Sequence, residues 1–533
     1  MQRKKLISRT LTTAIMLALY IGGAQPSIIS AQEYTDQING ASDAYAAHGI
    51  RTTVGMESTY TFAEGDVVKW TNPGPAVWIG DEGTHLKFTT PLNLQLDVKD
   101  SYTNGIFTAT SNYDNPCKLT AKDVHITGQS TGEADEDKIY ISGIETYAAN
   151  IKMENLNIDI TADGKPESIA DGIFMGRDLD DEDSEHTLTV TGNTNIKAVS
   201  KNGYYAWAAG IEAQDQAKMN FGKLTIATEA TAEDLARTNG IFAAGNSEIN
   251  AGETHINVKG ISTNPDEPSY SYGLNAIHSS TITLGDNSTI RAESSGDGSV
   301  MAVGVRAGLY SEVNLGITDI RAENNSDGGT VNVLFVEDGA VLNMSGGSIT
   351  GVNNANNRTF NAINAYGEDP DPTWHTDTIV NINQGTTNDV VIVGDVHAAN
   401  TAIVNLNLNT DASSITGNLD QSGSRQDTDD DGTINLTLAN KATWHAIGEY
   451  GNGYSYLENL TLNDGNITMT KEEAQNIDVL HLKGTSGKLT LEADANLKTG
   501  YFCVNNADTD ATTVHTSYAG INADNVKDAD GLE

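Results

Sequence analysis

The chain has 533 residues, with 31 Lys and Arg against 72 Asp and Glu, a formal net charge of −41 and a pI near 4.4. That acid excess removes the electrostatic footprint expected of a protein that binds nucleic acid or an anionic membrane. Hydrophobic residues at 38% exclude disorder by composition, 52 Gly against 10 Pro point to many turns, and two Cys cannot form a disulfide scaffold. On length alone, roughly three or four globular domains are expected.

Residues 1–31 contain no acid. Arg3, Lys4, Lys5 and Arg9 precede the apolar run Leu11–Ile21, and Pro26, Ser30 and Ala31 follow it. This order is that of a secretory signal, with cleavage expected after Ala31 and Ala24 as the second choice. The apolar run is short for a hydrocarbon layer of about 30 Å, and no later segment approaches ~18 unbroken apolar residues. The mature chain is therefore expected outside the cytoplasm with no membrane span. Residues 32–50 are small, polar and poorly patterned, and are read as an N-terminal segment or cap. Export permits disulfides, but Cys117 and Cys503 lie far apart in sequence, and in a linear stack they would exceed the ~7 Å Cα separation a bridge needs. No disulfide is expected.

From about residue 105 the sequence repeats. Ile196, Ile226, Ile256, Ile290, Ile320 and Ile349 recur at spacings of 30, 30, 34, 30 and 29 residues. About six residues before most of them stands an apolar-Asn-apolar triplet, as at Asn220, Asn250, Asn314 and Asn343. In one repeat Ile282-Thr283-Leu284 takes its place. A third anchor is Gly with an aliphatic residue: Gly143-Ile144, Gly172-Ile173, Gly210-Ile211, Gly240-Ile241, Gly273-Leu274 and Gly304-Val305. Each unit of about 30 residues thus holds three short alternating runs, which read as half-buried strands. The runs are β-branched with a period of two, which excludes helical solenoids. A propeller blade needs roughly 40–45 residues. The expected fold is therefore all-β: a right-handed parallel β-helix with three strands per coil. The isoleucines should form one inward column. The asparagines, lying between inward apolar residues, should face outward or cap a turn.

Longer coils carry acidic inserts at 132–138, 178–185, 265–268 and 367–375. These are expected to project as loops. Near residue 380 the rhythm changes: Asn381, Asn405 and Asn435 are followed by Gly394, Gly417 and Gly448. The division expected is a signal over 1–31, a β-helix over 51–450, a C-terminal cap over 451–520 and a tail over 521–533.

Three C-terminal runs carry a resemblance: Gly432–Trp444 (GTINLTLANKATW), Tyr456–Thr468 (YLENLTLNDGNIT) and Val479–Leu491 (VLHLKGTSGKLTL). Together they resemble the end of pertactin-like autotransporter passengers, over roughly 90 residues, with a looser repeat likeness over some 330 more. The resemblance implies that this segment caps the β-helix and assists folding during secretion. It also implies display at the cell surface or outer membrane of a Gram-negative-type bacterium. The family's outer-membrane β-barrel is not in this chain and is expected in the full-length gene or a partner.

Chemical motifs are sparse. Asp427, Asp429 and Asp431 before Gly432 fit the opening of a calcium loop, but Leu438 stands where a bidentate acid belongs, so an acidic turn is the simpler reading. Gly128-Gln129-Ser130-Thr131-Gly132 matches a nucleophile-elbow pattern, yet it opens an acidic loop instead of a strand-turn-helix. No zinc motif of the His-Glu-x-x-His type occurs. The eleven His are scattered singly, which favours surface or turn positions. Arg291 and Arg321, with Glu293 and Glu323, should stack as a solvated ion-pair ladder. Asp180 and Asp181 are the acids an inserted hydrolase site could use. Tyr204, Tyr205, Trp207, Tyr270, Tyr272, Trp374 and His375 are the candidate ligand contacts. The expectation is a non-catalytic adhesin or self-association module, without a cofactor or catalytic residue, that meets a cell-surface protein, a glycan or another copy. A secreted polysaccharide-degrading β-helix and a structural envelope protein are the alternatives.

Overall fold

The computed structural model describes residues 50–51, 57–62, 64–80, 83–99, 101–109, 116–133, 138–147, 149–176, 186–264, 267–296, 300–326, 329–354, 360–367, 377–421, 432–447, 454–469, 476–492, 500–507 and 513–519. The signal segment, residues 32–49, the 521–533 tail, Asp180, Asp181, Trp374, His375, Asp427, Asp429, Asp431 and Gly448 lie outside the described residues, as do most of the expected acidic loops.

Every described strand pair is parallel, as the 30-residue period requires. One register runs without a break from Arg51 through Glu145, Glu212, Arg306 and Asp420 to Cys503, sixteen rungs in all. At about 4.8 Å per rung the stack is a rod some 70 Å long. The chain is a parallel β-helix, and coils replace the separate domains its length suggested. Residues 454–492 extend the same register, with no change of strand direction near 451.

Each coil presents three faces. The isoleucine face holds a column from Val68 and Leu94 through Ile126, Ile158, Ile196, Ile226, Ile256, Ile290, Ile320, Ile349, Ile392 and Ile415 to Trp444, Ile467 and Leu489. None of its members is more than 5% exposed. Burying each one stabilises the stack by roughly 1.5–3 kcal/mol relative to leaving it in water.

The glycine face packs against this column. A Cβ added to Gly143, Gly172, Gly210, Gly240, Gly273 or Gly304 would come within 2.3–2.7 Å of the Cγ2 of the facing isoleucine. Glycine therefore lets the strand bend inward there. The bend breaks strict alternation, so Asn104 and Phe107 come to one side of their strand: Asn104 bonds to Glu145, the rung neighbour of Phe107.

The third face carries the asparagines, which point outward. Their amides form a bonded ladder. Asn343 donates Nδ2–H to Oδ1 of Asn314 at 2.8 Å, and the same bond recurs from Asn381 to Asn343 at 2.9 Å. It continues from Asn405 to Asn381 and from Asn435 to Asn405, both 2.8 Å, and from Asn459 to Asn435 at 2.7 Å. The turn from the glycine face to this face is a repeated pair of left-handed residues: Asp215-Gln216, Gly245-Asn246, His278-Ser279, Leu309-Tyr310 and Asp338-Gly339. Their amides bond from coil to coil, as in Asp215 N–H to Ala244 O at 3.1 Å. The ladder thus continues around the corner and leaves those donors paired.

Two expectations are corrected. Gly128–Gly132 does not open a loop: it lies within the strand Cys117–Glu133, where Ser130 is buried and donates to Ser101 O at 2.7 Å. His186 is fully buried, not at the surface, because the rung register places it level with Ala217 at the start of a core-facing strand. The arginine ladder forms as expected: Arg291 meets Glu323 at 3.3 Å and Arg321 meets the same carboxylate at 2.9 Å. Cys117 is buried beneath Ile79 and Cys503 is exposed in the last rung, both as free thiols.

Candidate functional site

Two places on the outer surface gather chemistry. The first is the concave side of the glycine bend. There the outward residues of neighbouring rungs converge on Glu145. Its Oε2 accepts from Tyr102 Oη at 2.5 Å, Asn104 Nδ2 at 2.6 Å and Tyr140 Oη at 3.2 Å, and its Oε1 accepts from Tyr147 Oη at 2.9 Å. Three of these donors share Oε2 and one takes Oε1, so most of the roughly four acceptor sites of the carboxylate are used. Tyr102 and Tyr140 stack with ring centroids 4.7 Å apart. Burial, reinforced by the Glu145 charge, raises both phenol pKa values well above the usual range, so these hydroxyls stay protonated donors.

Farther along the same bend the Arg237 guanidinium lies 4.4 Å from the Trp207 ring centre and 5.8 Å from that of Tyr272. Trp207, Arg237 and Tyr270 are consecutive neighbours in one column. Glu212 is nearly buried beside them and accepts from Gln214 Nε2. Arg306 closes the cluster with two bonds to Glu337, at 2.8 and 2.6 Å. Arg237 is thus held against two rings and Arg306 against a carboxylate.

The second place is a cleft of about 600 Å³ at the corner between the isoleucine and glycine faces. It arises because two successive coils turn there on glycine: a Cβ on Gly164 would lie 1.9 Å from Gly132 O. The floor therefore carries no side chain, while flanking coils raise Asp163, Lys165, Asn202 and Glu233 around it. Asn202 takes a left-handed conformation with φ of 64° and donates Nδ2–H to Asp163 Oδ1 at 2.6 Å. Lys201 meets Asp163 at 3.1 Å, and Lys165 reaches over two rungs to Glu233 at 2.6 Å. Lys165 also lies 4.6 Å from the Tyr204 ring centre. Tyr204 thus stands at the edge, 41% exposed, and Tyr205, next to it in the chain, is 51% exposed.

The candidate ligand contacts therefore divide. Tyr204 lies beside the cleft through its contact with Lys165 and Tyr205 is exposed next to it in the chain, whereas Trp207, Tyr270 and Tyr272 belong to the Arg237 cluster, with Tyr272 almost fully buried. Sequence reasoning missed Glu145 and Glu212, although a signal existed: both complete a Gly-Ile-Glu triplet, at 143–145 and 210–212. It also missed Asp163, Lys165, Asn202 and Glu233, which sit at coil ends without periodicity. Among the described residues no three His, Cys, Asp or Glu side chains are grouped to hold a metal, and no helix is long and apolar enough to cross a membrane. No protein family, curated protein or solved structure matches this chain.

Proposed function

We propose that this chain is a secreted, surface-displayed passenger of the autotransporter type that acts as a non-catalytic adhesin or self-association module. The observation that carries the reading is the cleft with exposed Tyr204 beside it, on the side of a stacked rod. Exposed aromatics at the rim of a polar recess are what a contact surface needs. The conserved geometry of the rungs gives such a surface a rigid support. Glu145, a buried carboxylate, has most of its acceptor sites taken by the protein itself, which supports binding over catalysis. Displayed on a bacterial surface, the chain should confer adherence to other cells or autoaggregation. Tyr204→Ala with Tyr205→Ala should reduce that effect several-fold. Adherence and aggregation no greater than in cells lacking the chain would overturn the reading.

One observation favours a second reading, a polysaccharide hydrolase. Glu145 and Glu212 lie two rungs apart, about 10 Å along the axis. That is near the carboxyl separation of roughly 6.5–9.5 Å used in inverting hydrolysis. Release of reducing sugar from a polysaccharide panel, abolished by Glu212→Gln, would establish it.

A further inference from the structure

We propose that the cleft at the glycine corner is a binding subsite for a neutral saccharide, one face of a sugar ring lying on Tyr204 and its vicinal hydroxyls bridging Asp163 and Asn202. The assignment rests on the adhesin reading and names the ligand class of that site.

Four features of the cleft select this class. Its charges cancel locally, Lys165 against Glu233 and Lys201 against Asp163, so the recess is close to neutral within a strongly acidic chain. An anionic ligand would meet repulsion from the remaining charge of the protein. A cationic one would find both carboxylates already occupied. The paired groups suit hydroxyls instead. Asp163 offers acceptor oxygens and Asn202 an amide 2.6 Å away, so adjacent hydroxyls of one ring can donate to the first and bond with the second. Exposed Tyr204, whose ring centre lies 4.6 Å from Lys165 Nζ, supplies flat apolar area at low entropic cost, the requirement for stacking the C–H face of a pyranose. Finally, the recess runs across five successive coils, from Thr131 through Asp163, Asn202 and Thr231 to Thr263, about 19 Å at the rung spacing. Its volume lies within the ordinary range of small-ligand sites, roughly 300–1,000 Å³. This is room for a short linear oligosaccharide laid along the rod.

The test titrates the secreted chain with cellotriose, maltotriose, chitotriose and a neutral milk tetrasaccharide, with sialyllactose as an acidic comparison, by calorimetry and saturation-transfer NMR. At least one neutral oligosaccharide should bind saturably. Its affinity should fall at least tenfold in Tyr204→Ala and in Asn202→Ala. It should stay within twofold in Tyr501→Ala, an exposed tyrosine on a distant rung. Circular dichroism on the same samples checks the fold, and Thr263→Trp, which fills the cleft from its rim, gives an independent blocking variant. Binding of no neutral oligosaccharide, binding of sialyllactose alone, or binding unchanged by all three cleft substitutions would overturn the assignment. Adherence measured on the same variants separates the two readings. Adherence without saccharide binding removes the saccharide assignment alone, and saccharide binding without adherence removes the adhesin reading alone.

Discussion

Gly172 faces Ile196 across the core so closely that a methyl group on its Cα would lie 2.3 Å from the isoleucine Cγ2 and 2.5 Å from the carbonyl of Gly210. The second contact is with backbone, so rotamer change cannot relieve it. Gly172→Ala should therefore push neighbouring rungs apart and destabilise the chain by about 1–3 kcal/mol. The denaturant midpoint measures this. An unchanged midpoint would mean that the rungs separate at no cost.

The asparagine ladder should be worth most in its middle. Asn405 both donates to Asn381 and accepts from Asn435. Asn405→Ala removes two amide bonds and should cost about 1–2 kcal/mol. Asn459→Ala removes the terminal bond to Asn435 and should cost about half as much. Equal losses at the two positions would argue against the ladder as an energetic unit.

Glu145→Gln replaces an acceptor-only group with one that carries donors. The new amide would turn an NH2 towards phenols and an amide that already donate. The expected cost is about 1–3 kcal/mol, read by thermal unfolding. Tyr147→Phe removes a single donor and should cost less.

Asp395 gives a signed pH dependence. Burial pushes its pKa from 3.8 up to about 6, against the opposing pull of the Asn418 N–H that it accepts. The folded chain then holds this proton more tightly than the unfolded chain, so stability contributed here falls as pH rises from about 4 to about 6 and is level above that. Asp395→Asn keeps the acceptor and removes the titration. Its stability relative to the parent should be near equal at pH 4 and higher by up to roughly 2–3 kcal/mol at pH 7. A difference independent of pH would refute the assignment.

Thiol labelling reads the ends of the rod. Cys503 is exposed and Cys117 is buried. A water-soluble disulfide reagent should therefore modify one thiol per native chain and two in denaturant. Rapid modification of both in the native state would contradict the placement of Cys117.

The isoleucine column and the glycine anchor were legible in the sequence because each rung meets the same inward constraint. A rung that changes Ile196 or Gly172 pays at once in packing, so the residues recur. The outward turn of the asparagines was legible too, since Asn343 stands between the inward Leu342 and Met344. What alternation could not reveal is the bend at glycine. A period of two would separate Asn104 from the face that carries Phe107, and the bend instead brings both to one side. Glu145 was thus unreadable as a buried hub and looked like an ordinary outward acid. The cleft was harder still. Tyr204 and Tyr205 stood out as aromatics, but Asp163, Asn202 and Glu233 meet only when three coils of unequal length are stacked.

The amide ladder also has a direction. From Asn343 to Asn459 every bond runs from the later residue to the earlier one, so the string of side-chain dipoles points one way along the rod. At its early end the Asn314 Nδ2 is taken by Glu312 Oε1 at 2.9 Å, an anion where the donors emerge. At its late end the chain of amides finishes on a carbonyl oxygen, facing the rung of His481. Such a string is polar like a row of magnets. Two segments of it can be joined tail to head, and a mirrored junction would set oxygen against oxygen. The column therefore accepts the next coil in only one sense, which favours orderly extension from a formed end over pairing with a reversed copy.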